Sequence, residues 1–194
     1  MTGQVELFCE DSARESCARA LVGRVAEELQ IEVSIRTATA SAGIGRLKRE
    51  LKAFQSWISH RSGTPDLLVI LVDANAIGPA ARRAEIEAVL DSAVFPFYVI
   101  GTPDPCVERW LLSDPVSFAE TFGVQPPLGT PDARHFWKTW LIESLEAAGQ
   151  IVVQGGAELA EEIIAPMDFY RAGRSDPTIQ AFTDDLRTAL RSRG

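Results

Sequence analysis

Histidine and cysteine are scarce in this 194-residue chain, with two of the first and three of the second. His60 and His135 stand far apart in sequence, which gives a zinc enzyme no ligand set. Cys9, Cys17 and Cys106 are odd in number and lack CxxC spacing. They offer neither a disulfide framework nor a structural zinc site, and they fit a reducing, cytoplasmic setting. Positive charge is also short. Nineteen Lys and Arg against 27 Asp and Glu give a formal net charge of −8, the opposite of the broad basic footprint by which a self-sufficient nucleic-acid binder holds phosphates. A nuclease survives this test, because carboxylates gathered around metal ions add negative charge that the metals neutralise. No apolar run approaches the roughly 18 residues needed to cross a bilayer. The opening "MTGQVELFCEDS" has no basic stretch followed by an apolar one, so neither a secretory signal nor a membrane partner is expected. There is no Walker A loop, no G-x-G-x-x-G and no G-x-S-x-G. "SAGIGR", residues 41–46, is too short and follows the wrong strand to serve as a nucleotide fingerprint.

What is present is an ordinary globular composition, 46% apolar and 24% charged, in a chain long enough for one domain with an appendage. Val5 to Cys9 reads as a short buried strand. Ser12 to Gln30 carries Ala13, Cys17, Ala20, Leu21 and Val25 at helical spacing, and Ser12 with Glu15 forms an S-x-x-E capping box. "IEVSIRT", residues 31–37, alternates as a strand. Ile44 to Ser59 places Leu47, Leu51, Phe54 and Ile58 on one helical face. "DLLVILVDAN" is apolar on both faces from Leu67 to Val72, as a central parallel strand requires. A helix over 79–92, a strand over 95–101 and a helix from Cys106 to Leu112 follow. After the Pro/Gly-rich "GVQPPLGTP" come helices near 132–148, 157–165 and 177–192. The order predicts an α/β fold with a mostly parallel sheet flanked by helices. Residues 1–122 form the main domain, and 123–194 form a helical C-terminal extension packed on it.

In such sheets, sites gather beyond the carboxyl ends of the strands. Three acidic groups fall there. Glu10, Asp11 and Glu15 follow the first strand; acids near a helix start can cap it, worth a few tenths to about 1 kcal/mol, or hold a metal. Ser12 and Glu15 fit the cap, whereas Glu10 precedes it at the strand tip. Asp73 and Asn75 end the third strand as D-x-N. If that segment is extended, both side chains point one way and offer oxygens to a hard cation; alternatively they form a polar turn. Glu108 and Asp114 flank a short apolar helix, where Glu108 is either a site acid or a solvated helix residue. Arg82, Arg83, Lys48, Arg49 and Lys52 could meet phosphates or simply cover exposed helix faces. The four tryptophans suit core or interface better than base stacking.

Together these pieces resemble a Toprim domain, in particular the small stand-alone Toprim-like proteins related to the OLD-family nucleases. The likeness rests on Glu10 in "LFCEDS", Asp73-x-Asn75 in "LLVILVDAN", the E-x-W-L-L stretch in "PCVERWLLSDP", and the closing "DPTIQAFTDDLRTAL". It covers most of residues 5–115 and, more weakly, the tail. The family pattern has an Asp where this chain has Asn75, which removes one charge from the metal site. Related proteins also often carry E-G-x-T-E where this chain has "EDSARE". The resemblance implies a Rossmann-like sheet and divalent-metal-dependent phosphodiester hydrolysis or nicking, of a kind often linked to phage defence. Glu10, Asp73 and Glu108 would be the catalytic residues. Glu10, Asp73, Asn75 and Glu108 would hold Mg2+ or Mn2+, one ion activating water and another steadying the leaving oxygen. Nucleic acid, bound weakly or with help, is the implied substrate. The alternative is a catalytically impaired Toprim-fold subunit that works by binding a partner protein, for example an ATPase. A phospho-receiver would also place acids after strands one and three. It needs a lysine near the end of a fifth strand, and Lys48, Lys52 and Lys138 are not so placed.

Overall fold

A computed structural model describes residues 3–39, 43–60, 64–129, 131 and 133–192. The loop after the second strand and the "RSG" of the turn at 61–65 therefore fall largely outside the described residues. The N-terminal half alternates strand and helix: β1 (Gly3–Cys9), α1 (Ser12–Glu28), β2 (Val33–Thr39), α2 (Ile44–Ser59), β3 (Leu67–Leu71), α3 (Pro79–Glu87) and β4 (Tyr98–Gly101). Five further helices follow β4 before the last stretch: α4 (Val107–Leu111), α5 (Pro115–Phe122), α6 (Arg134–Ala147), α7 (Ala160–Ile164) and α8 (Phe169–Ser175). The chain closes on α9 (Pro177–Arg191).

The four strands form one all-parallel sheet in the order β2-β1-β3-β4. This is the Rossmann-like α/β architecture that the alternating pattern predicts. Side-chain alternation sorts the strand residues onto two cores. On one face Val5, Leu7, Cys9, Val69, Leu71 and Val99 pack with α1 and the C-terminal helices. On the other, Phe8, Leu68, Ile70, Val72 and Ile100 pack under α2 and α3 through Leu47, Leu51, Ile58 and Ile86. All five β3 residues are buried, which explains the unbroken apolar run. Each such aliphatic side chain contributes about 1.5–3 kcal/mol over an exposed one.

Several local details differ from the sequence reading. Asp11, not Ser12, is the N-cap of α1; its carboxylate accepts the Arg14 N–H, and Ser12 is the first helical residue. The Ser12–Glu15 capping box is therefore replaced by an Asp cap, and Glu15 instead lies 3.4 Å from Arg19 one turn on. Helix α3 stops at Glu87 rather than 92, and β4 begins only after Pro96, whose missing N–H cannot join a ladder. Helices α5 and α8 are additional to those that the sequence pattern predicts. Both begin at an Asp cap, Asp114 and Asp168.

The C-terminal helices share the core of the sheet. Trp110 donates through Nε1 to Thr178 Oγ1 at 2.7 Å and meets the Phe182 ring at 5.2 Å. Gly101 permits this approach: a Cβ there would fall 2.5 Å from Leu71 and 2.8 Å from Phe182. Among the described residues no helix is long and apolar enough to cross a membrane.

Candidate functional site

The strand order fixes where a site can form. From β1 the chain crosses outward to β2, and the next strand, β3, returns to the opposite side of β1. The carboxyl ends of β1 and β3 therefore bound the switch point, where two connections diverge and leave a crevice. Glu10 and Asp11 follow β1 directly, Asp73 lies just beyond β3, and α4 brings Glu108 in from the connection after β4.

Asp73 is fully buried and is the hub of the centre. Its Oδ1 accepts from Arg14 Nε at 3.1 Å and from the Val107 backbone N–H at 3.2 Å. Its Oδ2 pairs with Arg14 Nη2 and lies 3.3 Å from Arg134 Nη2. Arg14 is itself only 1% exposed, and its Nη1 turns to Asp11 Oδ2. One guanidinium thus forks across Asp73 and ties it to the cap of α1, the bidentate geometry for which arginine is suited. Burial works to lower the Arg14 pKa, but the Asp73 carboxylate outweighs it, so Arg14 stays firmly protonated. Burial pushes the Asp73 carboxyl above its ordinary value, and the Arg14 and Arg134 guanidiniums oppose that push. The backbone of Asp73 is also held, with its carbonyl accepting from Arg82 Nε at 3.0 Å.

Glu108 sits in the first turn of α4 and is 4% exposed. Its Oε1 lies 3.5 Å from Lys138 Nζ on α6, while Oε2 is buried with no hydrogen-bond partner among the described residues. Its charge is felt at both Asp73 and Arg14. Burial first, and Glu108 second, push the Cys106 thiol up, away from the thiolate form that a nucleophile needs.

The anticipated acids are brought together only in part. Asp73 and Glu108 are buried in one electrostatic neighbourhood. Glu10 is half-buried at the tip of β1 and takes no part in the hydrogen bonds and ion pairs that join Asp73, Arg14 and Asp11. Asn75 does not extend the strand: it adopts φ +51° and opens a 3-10 turn, Asn75–Ile77. Its amide reaches back to the Asp73 carbonyl at 3.4 Å rather than lying beside the Asp73 carboxylate. Asp114 belongs elsewhere, capping α5 and binding Arg171.

Among the described residues, no group of three or more His, Cys, Asp or Glu side chains is arranged to hold a metal ion. The donor chemistry gives the reason. The two oxygens Asp73 would offer are committed to guanidinium and amide N–H groups, and Arg14 already supplies the compensating positive charge. In this arrangement the residues do not fit a divalent ion. Arg14 and Arg134 are the functional-site residues that the sequence reading missed. For Arg14 a signal was there: it falls one turn before Cys17 and Ala18 and two before Leu21 on the buried stripe of α1, and an arginine on an apolar stripe needs a buried partner. Nothing comparable marks Arg134.

Fold and site together define an α/β protein of Rossmann-like type with a carboxylate–guanidinium centre at the switch point of its parallel sheet. In comparisons with protein-family models, characterised proteins and solved structures, the chain matches none.

Proposed function

We propose that this chain is a Toprim-like binding subunit whose acidic centre is closed by Arg14, and that it acts by protein–protein contact instead of by hydrolysing phosphodiesters itself. The observation that carries this reading is the forked Arg14–Asp73 pair, buried at both ends. A Toprim enzyme needs the acid after its third strand free for a cation. Here a guanidinium occupies that role, Asn75 has lost the second acid and turned away, and Glu10 stands apart. The net charge of −8 also disfavours unaided nucleic-acid binding. The family resemblance makes an ATPase the partner class to try first.

A second reading, a Mg2+- or Mn2+-dependent nuclease of the same family, is favoured by one observation: the buried Oε2 of Glu108, which has no hydrogen-bond partner among the described residues. One experiment separates the two. Mg2+ and Mn2+ are titrated calorimetrically into wild type and a Glu10→Ala, Asp73→Asn double variant, folding being checked by circular dichroism, and both proteins are assayed for nicking of DNA and RNA. The binding-subunit reading expects the two proteins to behave alike in both assays, and wild type to comigrate with a purified partner ATPase on a sizing column. Metal heat and nicking present in wild type and lost in the double variant would establish the nuclease instead.

A further inference from the structure

Beside the acidic centre lies a cleft of about 540 Å3, lined by Asn75, Gly78, Asp104, Pro105, Arg109 and Arg134. We propose that this cleft binds the phosphate group of a small phosphate ester, with Arg134 and Arg109 as its two grips. The inference does not depend on whether the chain is a binding subunit or a nuclease, since neither grip is one of the acids.

Among the described residues Arg134 has few partners. A guanidinium has five N–H donors, and the ion pair that Arg134 makes is a 3.3 Å approach of Nη2 to Asp73. Its Nε is buried with no hydrogen-bond partner among the described residues, although the side chain is 37% exposed overall. Asp73 does not need Arg134 as its main counter-charge, because Arg14 already forks across it. Nε is enclosed, so the part of Arg134 that can meet a ligand is the exposed remainder of its guanidinium, which lines the cleft.

Arg109 is held in place. Its Nη1 donates to the Asp104 carbonyl at 2.8 Å, its Nε lies 3.0 Å from Asp176, and its guanidinium sits over the Trp137 ring at 5.5 Å. A guanidinium fixed this way loses little freedom when it engages a ligand. Between the two grips Ala133, which also lines the cleft, is the N-cap of the 14-residue α6 and has no side chain to accept the first helical N–H groups. The positive end of that helix adds to the guanidiniums. Two guanidiniums match the several oxygens of a phosphate better than the two of a carboxylate. The volume admits a phosphate with a sugar-sized group attached. Asp104 is the opposing charge in the cleft and tempers affinity for the most highly charged anions.

The test uses the full chain, with inorganic phosphate, pyrophosphate and adenosine diphosphate as probes and sulfate as control, read by calorimetry and thermal shift. Wild type is expected to give saturable heat and a raised Tm with at least one phosphate probe. Arg134→Gln should weaken that binding by roughly ten- to a hundredfold, the loss of charge-assisted hydrogen bonds, and Asp104→Asn should tighten it. Binding of phosphate alone as tightly as the nucleotide would place recognition wholly in the anion. The proposal is overturned if no probe binds, if sulfate binds as well as the phosphates, or if an end-phosphorylated oligonucleotide is strongly preferred to every small probe. Equal affinity in wild type and Arg134→Gln also overturns it. Should Arg134→Gln fail to fold, Asp104→Asn decides, and unchanged affinity in that variant counts against the cleft.

Discussion

At the scale of single residues, the Arg14–Asp73 pair dominates. Removing one partner of a buried ion pair leaves an uncompensated charge, so Arg14→Met alone is expected to destabilise the protein by about 3–5 kcal/mol. Arg14→Met combined with Asp73→Asn should recover most of that loss, because neither member of the buried pair then carries a charge and the Asn oxygen can still accept the Val107 N–H. Urea denaturation of the single and double variants measures both. Asp114 behaves oppositely to Asp73. Burial alone would raise its carboxyl, but Arg171 at 2.9 and 3.0 Å, the Asp168 N–H and the Ser117 N–H outweigh burial and hold it below the ordinary 3.8. A depressed carboxyl contributes stability that is fully present above its unfolded value and is lost as pH falls through the folded one. The stability gap between wild type and Asp114→Asn should therefore be constant near neutrality and shrink below about pH 4. Denaturant midpoints across an acid series would show it. Asp73 and Glu108 could be picked out in sequence from their places after strands. Their counter-charges could not, because which guanidinium reaches a buried acid depends on how α1 and α6 are laid against the sheet.

At the scale of elements, the strands were legible and several helices were not. The apolar run of β3 could be read because a strand covered on both faces has no polar side to confuse the pattern. Helices α5 and α8 escaped because each spans about two turns, too few for a 3.6-residue period to emerge. Their Asp caps, and Pro115 after Asp114, were the available signals. Asn75 shows the limit of spacing arguments: D-x-N puts two side chains on one side only if the backbone stays extended, and here it turns. Asp176 ties elements together. It caps α9 by accepting from the Thr178 N–H at 2.8 Å and hydroxyl at 2.6 Å, and its other oxygen lies 3.0 Å from Arg109 Nε. Asp176→Ala should cost about 1 kcal/mol from the cap alone, with more from the Arg109 charge it leaves uncompensated. Because α9 covers β4, hydrogen exchange should quicken in both elements before it does in β1.

At the scale of the whole molecule, the parallel sheet and its flanking helices followed from the order of elements. The depth to which the tail joins the core did not. Ile179, Phe182, Leu186 and Leu190 of α9, with Trp137, Leu141 and Leu145 of α6, sit in the same buried cluster as Leu7, Leu21 and Trp110. A chain cut after residue 122 would open that face of the sheet to water. Such a fragment should lose its cooperative thermal transition and bind a hydrophobic dye, whereas the full chain should do neither. The cysteines supply a way to watch the intact fold breathe. Cys9, Cys17 and Cys106 are all free and buried, and burial pushes each thiol upward, so none offers a thiolate to a reagent while the structure is closed. Cys9 ends β1, Cys17 lies one turn after Arg14 in α1, and Cys106 directly precedes α4, which carries Glu108. Alkylation of the native protein should therefore run at the rate of opening and quicken sharply in Arg14→Met. The three thiols act as an internal clock for how often the seam between β1, α1 and α4 parts.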